Sequence, residues 1–380
     1  MQLAAVPVAT AAISPPPAAA AAAARQNGVI AQQRKQLQQQ GLRLPAISSI
    51  TMEGSTGMLP ALPAHSLTHL DFKGLLASVD GPACSAALAR LSNLQRLGVA
   101  TYNAPYSCLA GWNYDEECAE DVEQLQQLLA QPLPLRVLHL DMEGSDPSLD
   151  LSRLTQLQEL HMWSQYFDAV FPPQLQQLER GDGEFNRQGR LAILSSVAAC
   201  TNLTKLKLES MSCRIGGYFD DDDEDDDEDE DEGADGTWNP PLVKLTGLTN
   251  LKDLDIFMCK RFLVPGDVLA LTAVTGLTRL VLCYSGAGVG DEAATAIAGS
   301  CQQLCELDLT KCNLVSMACL ANVAHLTQLT ELRLGGNRGL KQQELLLLTG
   351  LKRLQHLTVE RHAEVTDEVL ERFWAAVMQH

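Results

Sequence analysis

The chain has 380 residues, of which 46% are hydrophobic and only 5% aromatic, so a large core is available and leucine and alanine must fill it. Of the formal net charge of −19, thirteen units lie in one unbroken acidic run bounded by Asp220 and Glu232, leaving −6 for everything else. A mildly negative body with no basic face argues against binding a nucleic-acid backbone, and no apolar run is long enough to predict a membrane-spanning helix.

Residues 1–52 contain no Asp or Glu but carry Arg25, Arg34, Lys35 and Arg43, with prolines at 15–17 and an alanine run at 18–24. Residues 1–58 are expected to be a disordered, low-complexity tail. An acid-free, basic leader is also the composition of an organelle transit peptide. From there on a block of the form L-x-x-L-x-L recurs. It starts at Leu67, Leu94, Leu135, Leu157 and Leu203, then at Leu251, Leu277, Leu304, Leu329 and Leu354. The last five starts are 26, 27, 25 and 25 residues apart. Leu304 opens the longer pattern L-x-x-L-x-L-x-x-C-x-L, which ends at Cys312 and Leu314, and Cys259 and Asn337 fill the same position in their own blocks.

Between blocks the apolar period changes from two to about 3.6. Helices are expected over 121–131, 191–199, 291–298 (with Asp291 as N-cap), 317–324 and 343–348. A final one over 367–378 closes the end of the array. Two gaps are wide. The 46 residues from Leu157 to Leu203 hold Phe171-Pro172-Pro173 and Gly181-Asp182-Gly183, which favour a loop over a degenerate repeat. The 48 residues from Leu203 to Leu251 hold the acidic run, so 215–239 reads as a disordered insertion in a repeat domain spanning 59–380. The run is either a solvated loop or a flexible polyanion that attracts basic proteins.

These blocks resemble the leucine-rich-repeat superfamily, whose periods are 20–29 residues. The resemblance implies an α/β solenoid of ten to eleven repeats, with a curved parallel sheet on the concave face and helices on the convex one. In the C-terminal half, Cys301, Cys312 and helix starts such as Val365-Thr366-Asp367-Glu368 resemble the cysteine-containing subtype. Members of that subtype often serve as substrate receptors attached to an F-box, yet residues 1–58 show no F-box-like helical segment. Other similar proteins are cytoskeletal or axonemal components, or acidic nuclear histone-binding proteins. The resemblance thus implies a monomeric, non-enzymatic scaffold for a protein partner, located in the cytoplasm, at the cytoskeleton or axoneme, or in the nucleus.

Side chains between the strand leucines face the open side of the sheet. Those expected to form the partner-binding face are His139, Asp141, Glu159, His161, Trp163, Lys205, Lys207, Asp253, Asp255 and Phe257. Equivalent positions stack about 4.8 Å apart, which makes His139 and His161 neighbours. Trp163 and Phe257 are anchor types, although a loop near Trp163 could cover it instead. No metal site or cofactor is expected, because no motif spacing brings three or four ligands together. Eleven cysteines without a CxxC pair read as reduced, buried small hydrophobes of an intracellular protein. Enzyme motifs are missing. In Gly286-Ala287-Gly288-Val289-Gly290-Asp291 an aspartate replaces the third glycine of a dinucleotide loop and would repel phosphate.

Overall fold

The computed structural model describes residues 47–378, apart from 54–58, 60, 74–80, 102–122, 124, 143–147, 164–167, 182–186, 210–240, 258–262, 264–265, 286–288, 313, 315 and 338–339. The N-terminal tail up to residue 46, the acidic run and Cys259 lie outside the described residues.

The described residues form fourteen strands in chain order. They are β1 (Ser49–Glu53), β2 (His69–Lys73), β3 (Arg96–Thr101), β4 (Val137–Met142), β5 (Ser148–Asp150), β6 (Glu159–Trp163) and β7 (Asp168–Val170). They continue as β8 (Gln177–Gly181), β9 (Lys205–Glu209), β10 (Asp253–Phe257), β11 (Arg279–Val281), β12 (Glu306–Asp308), β13 (Glu331–Arg333) and β14 (His356–Thr358). All but β5 and β7 join one twelve-stranded sheet, ordered as in the chain, and every neighbouring pair is parallel. This is an α/β solenoid of leucine-rich repeats.

The register shows what holds it together. Leu70, Leu97, Leu138, Leu160, Leu178, Leu206, Leu254, Leu280, Leu307, Leu332 and Leu357 are aligned strand to strand. All but Leu357, on the outer strand, are buried. One strand presents only two or three apolar side chains and covers none of them alone. Stacking the next repeat buries each leucine, for roughly 1.5–3 kcal/mol apiece before ordering entropy is subtracted. Hydroxyls reinforce the stack: Thr68, Thr204, Thr278 and Thr330 each donate to a carbonyl of the preceding repeat, at 2.9–3.1 Å.

The helical side carries α1 (Gly81–Ala89), α2 (Arg187–Ala198), α3 (Asp291–Ser300), α4 (Met317–Val323), α5 (Gln342–Leu347) and α6 (Asp367–Met378). Residues 125–129 are also helical, and 3-10 turns occupy Pro241–Gly247, Asp267–Ala273 and Leu348–Gly350. α6 buries Val369, Phe373 and Val377 at the end of the core. Between β4 and β8 the repeats are only 22 and then 18 residues long, counted from Leu135 to Leu157 to Leu175. So short a return leaves no room for a helix, and β5 and β7 run extended and pair parallel instead.

Four sequence expectations need correction. The sheet has twelve strands, not ten or eleven. β8 lies inside the stretch expected to be a loop: Leu175, Leu178 and Arg180 repeat the block, with a buried arginine at its third apolar position. β1 lies in the segment expected to be tail: Ile47, Ile50 and Met52 repeat the block without a leucine. Asp291 does not cap α3, because Gly290 is the N-cap and makes no side-chain bond. Asp291 Oδ1 instead accepts from the Ser316 backbone N–H of the next repeat at 3.1 Å, fastening two repeats together.

The Asn/Cys position turns the chain after each strand. Asn337 Oδ1 accepts from the Cys312 and Leu314 N–H groups at 3.2 and 3.1 Å, and its Nδ2 donates to the Leu309 and Leu334 carbonyls at 2.8 and 3.0 Å. Cys312 Sγ donates to Leu282 O at 3.0 Å one repeat back. The residue before this position has positive φ in three successive repeats: Tyr284 (60°), Lys311 (54°) and Gly336 (70°). Only the last is the glycine that this region favours. Replacing Asn337 by Ala removes the side-chain partner of these buried backbone groups. A loss of about 2–4 kcal/mol is expected, read as a lower midpoint in urea or thermal unfolding; an unchanged midpoint would refute the ladder's structural weight.

Candidate functional site

The face opposite the helices carries every residue expected to bind a partner. The structure ties five of them, His139, His161, Lys207, Asp253 and Asp255, into contacts across neighbouring strands. His139 and His161 stack with ring centroids 4.2 Å apart and planes at 13°. His161 Nδ1 lies 3.2 Å from Glu179 Oε2, whose other oxygen meets Lys207 Nζ at 2.9 Å. Lys207 also meets Glu209 Oε2 at 2.9 Å. Two strands on, Arg279 of β11 bridges three carboxylates: Asp253 at 2.8 Å, Asp255 at 3.1 Å and Glu306 at 3.1 Å. Arg333 then joins Asp308 at 3.6 Å to Glu331, whose Oε1 accepts from Nε at 2.7 Å.

This ladder follows from the fold. Parallel stacking brings like positions of successive repeats within side-chain reach. The residues there alternate in sign often enough for neighbours to pair. Each pair is partly exposed and worth about 0–1 kcal/mol alone; as a network it fixes side-chain positions.

Protonation follows the pairing. Burial opposes the charge on Lys207, but its hydrogen bonds to the Glu179 and Glu209 carboxylates outweigh it and raise the ammonium above its ordinary range. Glu179 is held low by Lys207 despite its burial. Burial likewise works against Arg279, yet Asp253, Asp255 and Glu306 leave it more firmly protonated than usual. Asp255 is raised by burial, with Arg279 opposing. Burial, and then the neighbouring His161, lowers His139 from 6.5 to about 4, so that ring is neutral under ordinary conditions. Burial also pushes the Cys200 and Cys301 thiols up to about 11, and those of Cys312 and Cys319 up to about 12. Thiols so fully protonated make poor nucleophiles.

Two aromatic features border the ladder. The Trp163 indole packs against Gly181 of the next strand: a Cβ there would sit 2.2 Å from the indole Cζ3. Phe257 meets Tyr284 edge to face at 5.8 Å, and the Lys311 ammonium lies 5.1 Å from the Tyr284 ring centroid. Asp141 and Glu159 are half-buried on β4 and β6, and Lys205 is half-buried on β9. The loop that could cover Trp163, residues 164–167, lies outside the described residues.

Sequence reasoning missed Glu179, the centre of the histidine–lysine link. Its strand was hidden because Arg180 breaks the leucine pattern. Tyr284 was missed because it stands on the turn after β11 rather than in the strand. Among the described residues, no three His, Cys, Asp or Glu side chains converge to hold a metal ion. None of the described helices is long and apolar enough to cross a membrane.

No family model matches the sequence, and no curated protein matches it. Among 140 solved chains that match is an internalin from Listeria monocytogenes, 16% identical with a TM-score of 0.39. That match covers 78% of this chain and 75% of the internalin. The fold assignment rests on the strand register and core of this chain itself.

Two measurements check the site. Gly181→Ala drives a methyl group into the Trp163 ring, so the indole must swing away; a shift in tryptophan emission and a loss of about 1–3 kcal/mol are expected. The unfolded chain protonates His139 near 6.5 and the folded chain only near 4. Stability is therefore lost as pH falls from 6.5 toward 4, since the unfolded state binds the extra proton. His139→Gln removes that contribution, and denaturation midpoints of the two proteins across this window should converge at low pH; parallel curves would contradict the assignment.

Proposed function

We propose that this protein is a non-enzymatic scaffold that binds another protein on the open face of its sheet. The observation that carries the reading is the organisation of that face. The rows of side chains there are cross-braced into fixed positions and bordered by Trp163 and Phe257, as a preorganised binding surface requires. Aromatic anchors beside ordered charges are the residue classes that dominate protein interfaces. The deeply protonated thiols and the absence of a converging donor set among the described residues fit a binding role better than nucleophilic or metal-assisted catalysis.

The finer resemblance to the cysteine-containing subtype draws support from Cys301 and Cys312, both buried at the expected corners, with Cys312 bonded into the backbone ladder. Attachment to an F-box-type adaptor would need a segment outside the described residues. We place the protein inside the cell and regard it as a monomer.

Three full-length baits test the scaffold reading in native-cell extract: wild type, His161→Ala with Trp163→Ala, and Met317→Ala. Met317 is 45% exposed on the helical side. Partner capture should be lost with the double variant and kept with Met317→Ala, all three retaining native circular dichroism. Equal capture by all three would remove the open face from the account.

A further inference from the structure

The open face is not uniform, and its C-terminal stretch has a charge excess that its own residues do not satisfy. Strands β10 to β13 present five carboxylates, Asp253, Asp255, Glu306, Asp308 and Glu331. Against them stand two guanidiniums, Arg279 and Arg333, which leaves a formal −3. Lys207, on the adjoining strand, is taken up by Glu179 and Glu209. Counting Lys311, engaged over the Tyr284 ring at the rim, and Lys205, which stands beside Asp253 on β9, still leaves a formal −1.

The geometry of the bonds shows where the excess lies. Asp253, Glu306 and Glu331 each bond their arginine through one oxygen: Oδ1, Oε2 and Oε1 respectively. Their second oxygens make no hydrogen bond within the described residues, and these side chains keep 23–26% of their surface exposed. The three stand in one row, on β10, β12 and β13, where strands are spaced about 4.8 Å apart. In the adjacent row of the same face, two residues along β10 from Asp253, Asp255 is 7% exposed, and its Oδ1 accepts no hydrogen bond. A carboxylate oxygen left unsatisfied at that depth is weakly screened and strengthens the negative potential above it. The aromatic rim adds an independent cue. Tyr284 already carries an ammonium at cation–π distance, so the border of this stretch accommodates cationic side chains.

We propose that the β10–β13 stretch of the open face docks an arginine-rich basic segment of a partner protein. The inference rests on the scaffold reading and specifies the chemistry of its guest. Guanidinium groups match the row of spare carboxylate oxygens, since their planar donors bind carboxylates and also stack on aromatic rings. Nucleic acid, acidic peptide and anionic lipid would all be repelled. This surface is distinct from the acidic run at 220–232, and the test must separate the two.

The probe is a labelled oligo-arginine peptide, titrated by fluorescence anisotropy into the full chain and into a full chain whose acids at 220–232 are replaced by Asn and Gln. Binding at moderate salt should survive that replacement. It should weaken about tenfold in Glu306→Gln combined with Glu331→Gln, because rim and face charges set such affinities. Thr358 is exposed on β14 beside Arg333, and among the described residues its side chain makes no hydrogen bond. Thr358→Lys disrupts no such contact and should weaken binding several-fold, which keeps the test decisive if the double variant folds poorly. An oligo-glutamate peptide should not bind. Binding that vanishes when 220–232 is neutralised, or that ignores both face variants, overturns the inference. Should that happen while His161→Ala with Trp163→Ala still abolishes partner capture, the scaffold reading stands and only the basic guest is wrong.

Discussion

Everything in this molecule depends on leucines that one repeat cannot bury and the next one can. A strand of three to six residues with a helix behind it is not a stable unit. The gain comes when Leu280 settles against Leu254 on one side and Leu307 on the other, and so on along the sheet. Stability is therefore a sum over interfaces between neighbours, and each repeat is as secure as its two contacts. The polar fastenings have the same nearest-neighbour character. The threonine hydroxyls, the Asn337 amide and the Asp291 carboxylate each reach across one repeat boundary.

The open face inherits this order. Because leucines fix the register from below, the side chains between them have no choice of neighbour. His139 must meet His161, and Arg279 must lie between Asp253 and Glu306. The charge ladder is thus a consequence of the core. Its contribution to stability is small beside the apolar stack. What it supplies is fixed position: groups that would otherwise sample many rotamers are held in place, which under the proposed function lowers the entropic cost of binding.

The sequence disclosed the regular part of this design well. Five evenly spaced leucine blocks, from Leu251 to Leu354, sufficed to expect neighbouring parallel strands, and the alternation within each block told which side chains face outward. It failed where one residue departs from type while the backbone does not. Arg180 occupies a core position that the pattern reserves for an apolar residue, so β8 and its Glu179 went unseen. Ile47, Ile50 and Met52 keep the spacing but lack leucine, so β1 read as tail. Spacing gives adjacency but not bonding. That His139 and His161 are neighbours was readable; that Glu179, Lys207 and Glu209 continue the chain of contacts was not, because that depends on rotamers and on a strand the pattern concealed.

The paired return strands β5 and β7 have a consequence for geometry. Packed helices keep about 8–10 Å between axes, while strands keep about 4.8 Å, and this mismatch between back and front is what bends a repeat array toward its sheet. Where the back is also made of strands, the mismatch disappears and the bend relaxes. The stretch from β4 to β8 therefore lacks this source of bend, and it is the stretch that carries the stacked histidines and Trp163.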